Sequence, residues 1–165
     1  DIIATLAKNY QEEKMMIISG DKDFIQLHKY KQVRQYSPIL KKLVEGHDPI
    51  DYINVHMLKG DSSDGVPNVL SNDNVFVEGL RQRPLSKKKI EAWKDGMFEG
   101  TMATQEIIRN YERNKTLINL DHCPSELQEN ILQTYTEAPC GDRSKILTFF
   151  IDNRLKELTE SIGDF

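Results

Sequence analysis

The chain opens on apolar positions with helical spacing. Ile3, Leu6, Ala7 and Tyr10 fall at i, i+3, i+4 and i+7 and predict a helix running to about Glu12-Glu13-Lys14. Met15-Met16-Ile17-Ile18 is a continuous apolar run of strand length, stopped by Ser19-Gly20-Asp21. Phe24, Ile25, Leu27 and His28 predict a short helix. Val33 to Tyr36, closed by Ser37-Pro38, predicts a second strand. Helix, buried strand, acidic turn, helix and strand in that order predict an α/β fold with a parallel sheet. Asp48-Pro49 starts another helix, with Ile53, Met57 and Leu58 on one face. From Gly60 to about Pro84 the chain is rich in Gly, Asn, Asp, Ser and Pro and reads as loop. Helical spacing then takes over. One helix is expected from Ser86 through Trp93, and others over about 102–117, 125–137, 143–152 and 154–162. Pro124-Ser125 and Asp142 serve as start signals. The expected organisation is an α/β lobe over residues 1–59, then an acidic loop and a helical lobe over 60–165. No cap or leading strand precedes the first helix, so the chain reads as one that begins in mid-domain.

Composition narrows the class. Apolar residues make up 38% and charged residues 29% of the 165, a balance that is ordinary for a globular protein and argues against disorder. No apolar run approaches the ~20 residues of a membrane span, and no secretory leader is visible. Only Cys123 and Cys140 occur, without a Cys-x-x-Cys, which predicts two free thiols in a reducing cytoplasm rather than a zinc site or disulfide. His28, His47, His56 and His122 lie in different segments and read as structural or surface residues. Trp93, Phe98, Phe149 and Phe150 read as core.

The net charge of −4 does not suggest a nucleic-acid protein, but its distribution changes the picture. Arg81, Arg83, Lys87, Lys88, Lys89 and Lys94 stand against one acid, Glu91, over residues 81–94. Asp21, Asp23, Asp61 and Asp64 are grouped beside turns. Such a chain can grip phosphates with one part and hold metal with another, although a basic stretch is as readily a solvated helix face. In Ser19-Gly20-Asp21-Lys22-Asp23-Phe24 two carboxylates follow a buried strand at i and i+2. They suit a hard cation such as Mg²⁺; the competing reading is a helix N-cap with a solvated neighbour. Gly60-Asp61-Ser62-Ser63-Asp64-Gly65-Val66-Pro67 sets two more carboxylates on a glycine-flanked loop, with an Asp-rich surface turn as the alternative. Four acids in two loops repel one another, and a bound cation would reverse that penalty.

In order, these motifs resemble those of the flap endonuclease (5′ nuclease) superfamily. There an acidic Glu-Ala-Asp-Asp turn opens a helix, a strand ends in Asp-x-Asp, and a Gly-Asp-x-x-Asp loop follows. Asp1 before Ile2-Ile3-Ala4 looks like the end of the first motif, Asp21 and Asp23 match the second, and Asp61 and Asp64 the third. Gln26-Leu27-His28-Lys29-Tyr30, Gln35-Tyr36-Ser37-Pro38 and the ending from Leu158 to Phe165 are similar to the phage ribonuclease H subgroup.

The resemblance implies a 5′–3′ exonuclease or flap endonuclease with ribonuclease H activity. Such an enzyme removes RNA primers and 5′ flaps in phage DNA replication by two-metal hydrolysis, with Mg²⁺ as cofactor and Mn²⁺ as substitute. It implies Asp21, Asp23 and Asp64 as the foremost metal ligands, with Asp61 and Asp1 behind them. It also implies a helix-turn-helix-like element after the acidic loop, with Gly65 and Val66 at the nucleic-acid backbone. Here Asn68 and Leu70-Ser71-Asn72 stand where glycines are expected, so the potassium site of many members is not expected. Lys87, Lys88 and Lys89, opened by Ser86, can take over phosphate contact without reading sequence. The implied partners are duplex DNA, an RNA–DNA hybrid or a flap junction, with a single-strand-binding protein or sliding clamp as further candidates. Ile162 and Phe165 read first as packing against the helical lobe, with a clamp- or partner-binding tail as the alternative. A non-catalytic duplex-binding piece is the runner-up reading. A receiver-like or toxin-nuclease domain fits only residues 1–59.

Overall fold

The first helix, α1 (Ile2–Asn9), buries Ala4, Thr5 and Ala7, but it stops five residues before the predicted end at Lys14. Tyr10 leaves helical geometry at φ −110°, ψ 56° while its N–H still bonds to the Leu6 carbonyl. Gln11, Glu12, Glu13 and Lys14 are all exposed, so a further turn would bury nothing. The computed structural model describes residues 1–96, 98, 101, 103–138 and 143–164. The expectations for Cys140, Asp142 and Phe165, and the start of the helix placed at 102, lie outside them.

β1 (Met15–Ile18) pairs in parallel with β2 (Val33–Ser37), as the pattern predicts, with Met15 opposite Val33 and Ile18 opposite Tyr36. A third strand, β3 (Lys42–Leu43), adds antiparallel to β2, so the sheet is mixed rather than parallel. Two residues are too few to leave a period in the sequence. On the inner face Ile17 and Val33 pack with Ala4, Ala7 and Leu27 into one small core.

α2 (Pro49–Lys59) starts as predicted: the Asp48 carboxylate accepts from the Ile50 and Asp51 amides, and Pro49 occupies the first turn. Its Ile53, Met57 and Leu58 join Val66 and Val69 of the following loop in a second core. Ile90 and Trp93 of α3 (Lys87–Trp93) and Tyr111 and Ile118 of α4 (Gln105–Ile118) complete it. Ser86 caps α3 as expected, its hydroxyl accepting from the Lys89 amide. The loop after α2 is held by buried amides. Asn114 donates to the Met57 and Pro67 carbonyls, and Asn110 to those of Val69 and Ser71. Asn68, standing where a glycine is expected, is buried and bonds to the Arg83 carbonyl.

Contacts divide the chain into two compact units, residues 1–132 and 133–165. α5 (Ser125–Glu137) runs across the division. In the second unit α6 (Ile146–Asp152) and α7 (Lys156–Glu160) pack together, and the Leu155 amide donates to the Phe150 carbonyl. Phe150 is buried there, whereas Phe149, expected in the core, is exposed, because a short helix covered on one side can hide only one of two consecutive aromatics.

Candidate metal centre

Asp21 and Asp23 stand at the carboxyl end of β1, the end at which parallel sheets of α/β proteins present their ligand sites. The backbone of the turn is fixed by Gln35 on β2, whose amide donates to the Ser19 and Asp21 carbonyls at 2.9 and 2.6 Å. His28 meets the Gln35 side-chain oxygen at 3.1 Å, completing a small polar knot under the turn. Asp21 caps the 3₁₀ segment Lys22–Lys29: its Oδ1 accepts from the Asp23 amide at 2.9 Å. The capping alternative therefore describes one oxygen of Asp21. Asp23 itself is half-buried and points to other company.

The second loop folds as tightly. Gly60 holds φ at +68°, and a Cβ there would overlap the Val66 carbonyl oxygen and the Pro67 carbonyl carbon. Asp61 then spends Oδ1 on its own loop, accepting from the Ser63 amide at 2.8 Å, from the Ser63 hydroxyl and from the Asp64 amide. These bonds, the hydroxyl first, hold its pKa below the ordinary carboxylate value against the opposing effect of burial. The Val66 amide donates to the Asp61 carbonyl at 2.7 Å and the Val66 side chain is buried, so of the two residues assigned to the nucleic-acid backbone only Gly65 is exposed.

The two loops meet at a residue that carries no motif. His56, on the last turn of α2, lies between them, with Nε2 3.2 Å from Asp61 Oδ2 and Nδ1 3.6 Å from Asp23 Oδ1. One ligand atom from each of Asp23, His56 and Asp61 lies within 4.8 Å of the others. His56, expected as a structural or surface residue, is set with its side chain 15% exposed between the two acidic loops. A lone histidine is silent in sequence; its one clue is its place on the helix that delivers Gly60-Asp61.

Burial pushes the Asp23 pKa up, His56 pulls it back, and Asp21, Asp61 and Asp64 each push it up again. Four of the five predicted carboxylates, Asp21, Asp23, Asp61 and Asp64, therefore share one electrostatic neighbourhood. Asp1, exposed ahead of α1, is not among the charges acting on Asp23. Tyr52 sets its ring edge-on against His56, with centroids 5.5 Å apart. Its hydroxyl is pushed up to about 12 by burial and then by Asp23, Asp61 and Asp21. Beside the cluster opens a cleft of about 390 Å³, lined by Lys22, Tyr52, His56, Lys59 and Gly60 among others.

On the second core, α3 carries Lys87, Lys88 and Lys89 exposed, with the Lys89 ammonium 5.5 Å from the Trp93 ring centre. Lys94 is committed elsewhere, to Asp51 at 2.9 Å and Glu91 at 3.2 Å. Among the described residues no helix is long and apolar enough to cross a membrane.

A family model described as "T4 RNase H, C terminal" matches residues 46–165. The chain belongs to this family. It is also 35% identical over 174 aligned positions to the ribonuclease H of Enterobacteria phage T4. That alignment takes in 100% of the chain and 57% of the T4 protein, so the chain spans little more than half the length of this relative. Membership in the T4 RNase H C-terminal family agrees with an α/β fold followed by helices.

Proposed function

We propose that this chain contributes metal-binding and duplex-gripping parts of a 5′ nuclease, one that removes RNA primers and 5′ flaps during phage DNA replication. The observation that carries this reading is the convergence of Asp23 and Asp61, from loops seated on different cores, with one ligand atom of each and one of His56 within 4.8 Å of one another, and with Asp21 and Asp64 close enough to act on Asp23. The oxygen-rich donor set fits a hard divalent cation such as Mg²⁺, which takes one or two carboxylates together with water. Asp21, Asp23, Asp61 and Asp64 would hold Mg²⁺, or Mn²⁺ in its place. When bound, such ions supply the positive charge that activates water and stabilises the departing oxygen.

The chain's own residues do the rest. Gln35 and Gly60 fix the two loops, and Tyr52 keeps its proton and walls the imidazole. Lys22 and Lys59, at the cleft, neutralise phosphate as it approaches the carboxylates. Lys87, Lys88 and Lys89 hold the duplex by its backbone, without sequence preference, in a helix-turn-helix-like region. The remaining ligands of a two-cation site come from the part of the T4-type protein that this chain does not span. One set of observations favours the non-catalytic alternative, in which the chain only binds duplex: Asp21 and Asp61 each have a capping duty that needs no metal.

The test is a 5′-labelled flap and an RNA–DNA hybrid incubated with Mg²⁺ or Mn²⁺, with the upstream part of the T4 relative added in trans. Cleavage that appears with both parts and vanishes in Asp23→Asn supports the nuclease. Duplex binding without cleavage in the combined sample supports the alternative.

A further inference from the structure

Between the acidic loop and α3, residues 80–84 form no regular secondary structure, and Leu80, Arg81, Arg83 and Pro84 are exposed. The stretch buries almost nothing, yet it is tied down tightly. The Arg83 amide donates to Ser71 Oγ at 2.9 Å, and the Ser71 hydroxyl donates to Asn68 Oδ1 at 3.0 Å. Asn68 Nδ2 donates back to the Arg83 carbonyl at 2.8 Å. Both backbone groups of Arg83 thus close one hydrogen-bonded ring through two buried side chains. Gln82 adds a tie, its Oε1 accepting from the Asn68 amide at 2.6 Å. Buried polar side chains are costly unless every partner is in place, and a stretch that covers no core needs no such ring for its own burial. What the ring accomplishes is to fix the backbone of Arg83 while its side chain stays exposed.

That guanidinium has nothing else to do. Among the described residues no carboxylate forms an ion pair with Arg81, Arg83, Lys87, Lys88 or Lys89. Asp73, the acid two residues after Ser71, is taken by Arg109 and Arg113. Arg83 stands four residues ahead of Lys87, and Leu85 between them packs against the second core. On the other side, Asn68 follows Val66, whose amide closes the Asp61 loop, and the Val69 amide donates to the Leu58 carbonyl. Hydrogen bonds therefore fix Arg83 relative to the acidic loop as well as to the lysine helix.

We propose that Arg83 is a preorganised contact for one backbone phosphate of a nucleic-acid duplex, with Asn68 and Ser71 as the residues that position it. The planar fork of a guanidinium matches two phosphate oxygens at once, without reading bases. Because the backbone beneath it is already held, less freedom is lost on binding. The inference rests on the duplex-gripping reading above. It adds a contact outside the lysine helix and the device that sets its place.

The experiment uses the whole chain and a fluorescein-labelled blunt DNA duplex, with anisotropy read at several salt concentrations. Wild type is compared with Arg83→Ala, Arg83→Lys, Asn68→Ala and the double variant R83A/N68A. R83A leaves the ring intact, since only the backbone of Arg83 enters it. R83A is expected to weaken binding about tenfold and to lower the log–log salt slope by about 0.9. R83K should keep the slope but still weaken binding about threefold, because an ammonium does not replace the fork. N68A should weaken binding in the wild-type background and have no further effect on R83A, which a general loss of structure would not produce. Equal affinity and slope in wild type and R83A would overturn the proposal and leave the duplex-gripping reading standing. A wild-type chain that binds no duplex removes that reading, and the proposal with it. R83K that matches wild type overturns the fork, and N68A that weakens R83A as much as wild type overturns the positioning role. Should N68A not fold, Ser71→Ala takes its place in the same comparison.

Discussion

Gly60 and Gly65 both hold positive φ, at +68° and +75°, and differ in what surrounds them. A Cβ at Gly65 meets nothing within 4 Å, whereas at Gly60 it meets backbone on two residues. Gly65→Ala is expected to cost only the left-handed backbone strain, about 1 kcal/mol. Gly60→Ala is expected to cost clearly more, and to displace Asp61 from His56. Urea unfolding of the two variants checks the order. His28 offers a test in pH. Burial, aided by His47, sets its pKa below the ordinary 6.5, against the contrary effect of Gln35. A histidine depressed on folding is protonated more readily in the unfolded chain. Stability is therefore full above about pH 6.5 and falls as pH drops below that toward the folded value. His28→Asn should flatten this part of the profile, measured by urea unfolding from neutral pH down through that range; an unchanged slope would mean that His28 is not responsible. At this scale the four acids were legible because they sit in spaced motifs beside glycines. His56 and Gln35 were not, since their roles arise only when α2 and β2 bring distant loops together.

Among the elements, α3 carries the clearest consequence. Lys87, Lys88 and Lys89 project from a helix capped by Ser86 and anchored through Ile90 and Trp93, while Lys94 is tied to Asp51 of α2. The first three are therefore available to phosphates, and the fourth serves to dock the helix. Replacing Lys87, Lys88 and Lys89 by Ala should weaken duplex binding about equally for all sequences. It should also flatten the log–log salt dependence by about 0.9 for each phosphate no longer neutralised. Fluorescence anisotropy at several salt concentrations measures both, and an unchanged slope would make α3 a solvated face. Element by element, long periodic segments were readable: α2, α3, α4 and α5 lie close to where hydrophobic spacing put them. The exceptions have local causes. α1 ends where its apolar stripe ends, and β3 is too short to carry a pattern. The loop after α2 is ordered by Asn110 and Asn114, which reach back across a stretch of chain that no local window contains.

For the molecule as a whole, the decisive feature is a sheet covered on one side. Ile17 and Val33 face the inner core, but Met16 and Ile18 face outward, 52% and 71% exposed, in register with Arg34 and Tyr36 of β2. Parallel strands are ordinarily buried on both faces. An apolar strand left open beside an acidic rim is where a further layer would sit, and the alignment takes in only 57% of the T4 relative. On the proposed two-cation reading, cleavage is expected to require the part of the T4-type protein that this chain does not span, because the carboxylates here would otherwise have to hold both cations against their mutual repulsion unaided. Met16→Ser with Ile18→Ser alters this outer face without touching the site. Both side chains are exposed, so the double variant should unfold at nearly the same urea concentration as the wild type. If the outer face receives a further layer from the T4-type protein, the variant should need substantially more of the upstream part to reach half-maximal cleavage, while activity at saturation is retained. Equal dependence on the upstream part in wild type and variant would place the interface elsewhere. Cleavage by the chain alone, abolished in Asp23→Asn, would show that the carboxylates described here suffice.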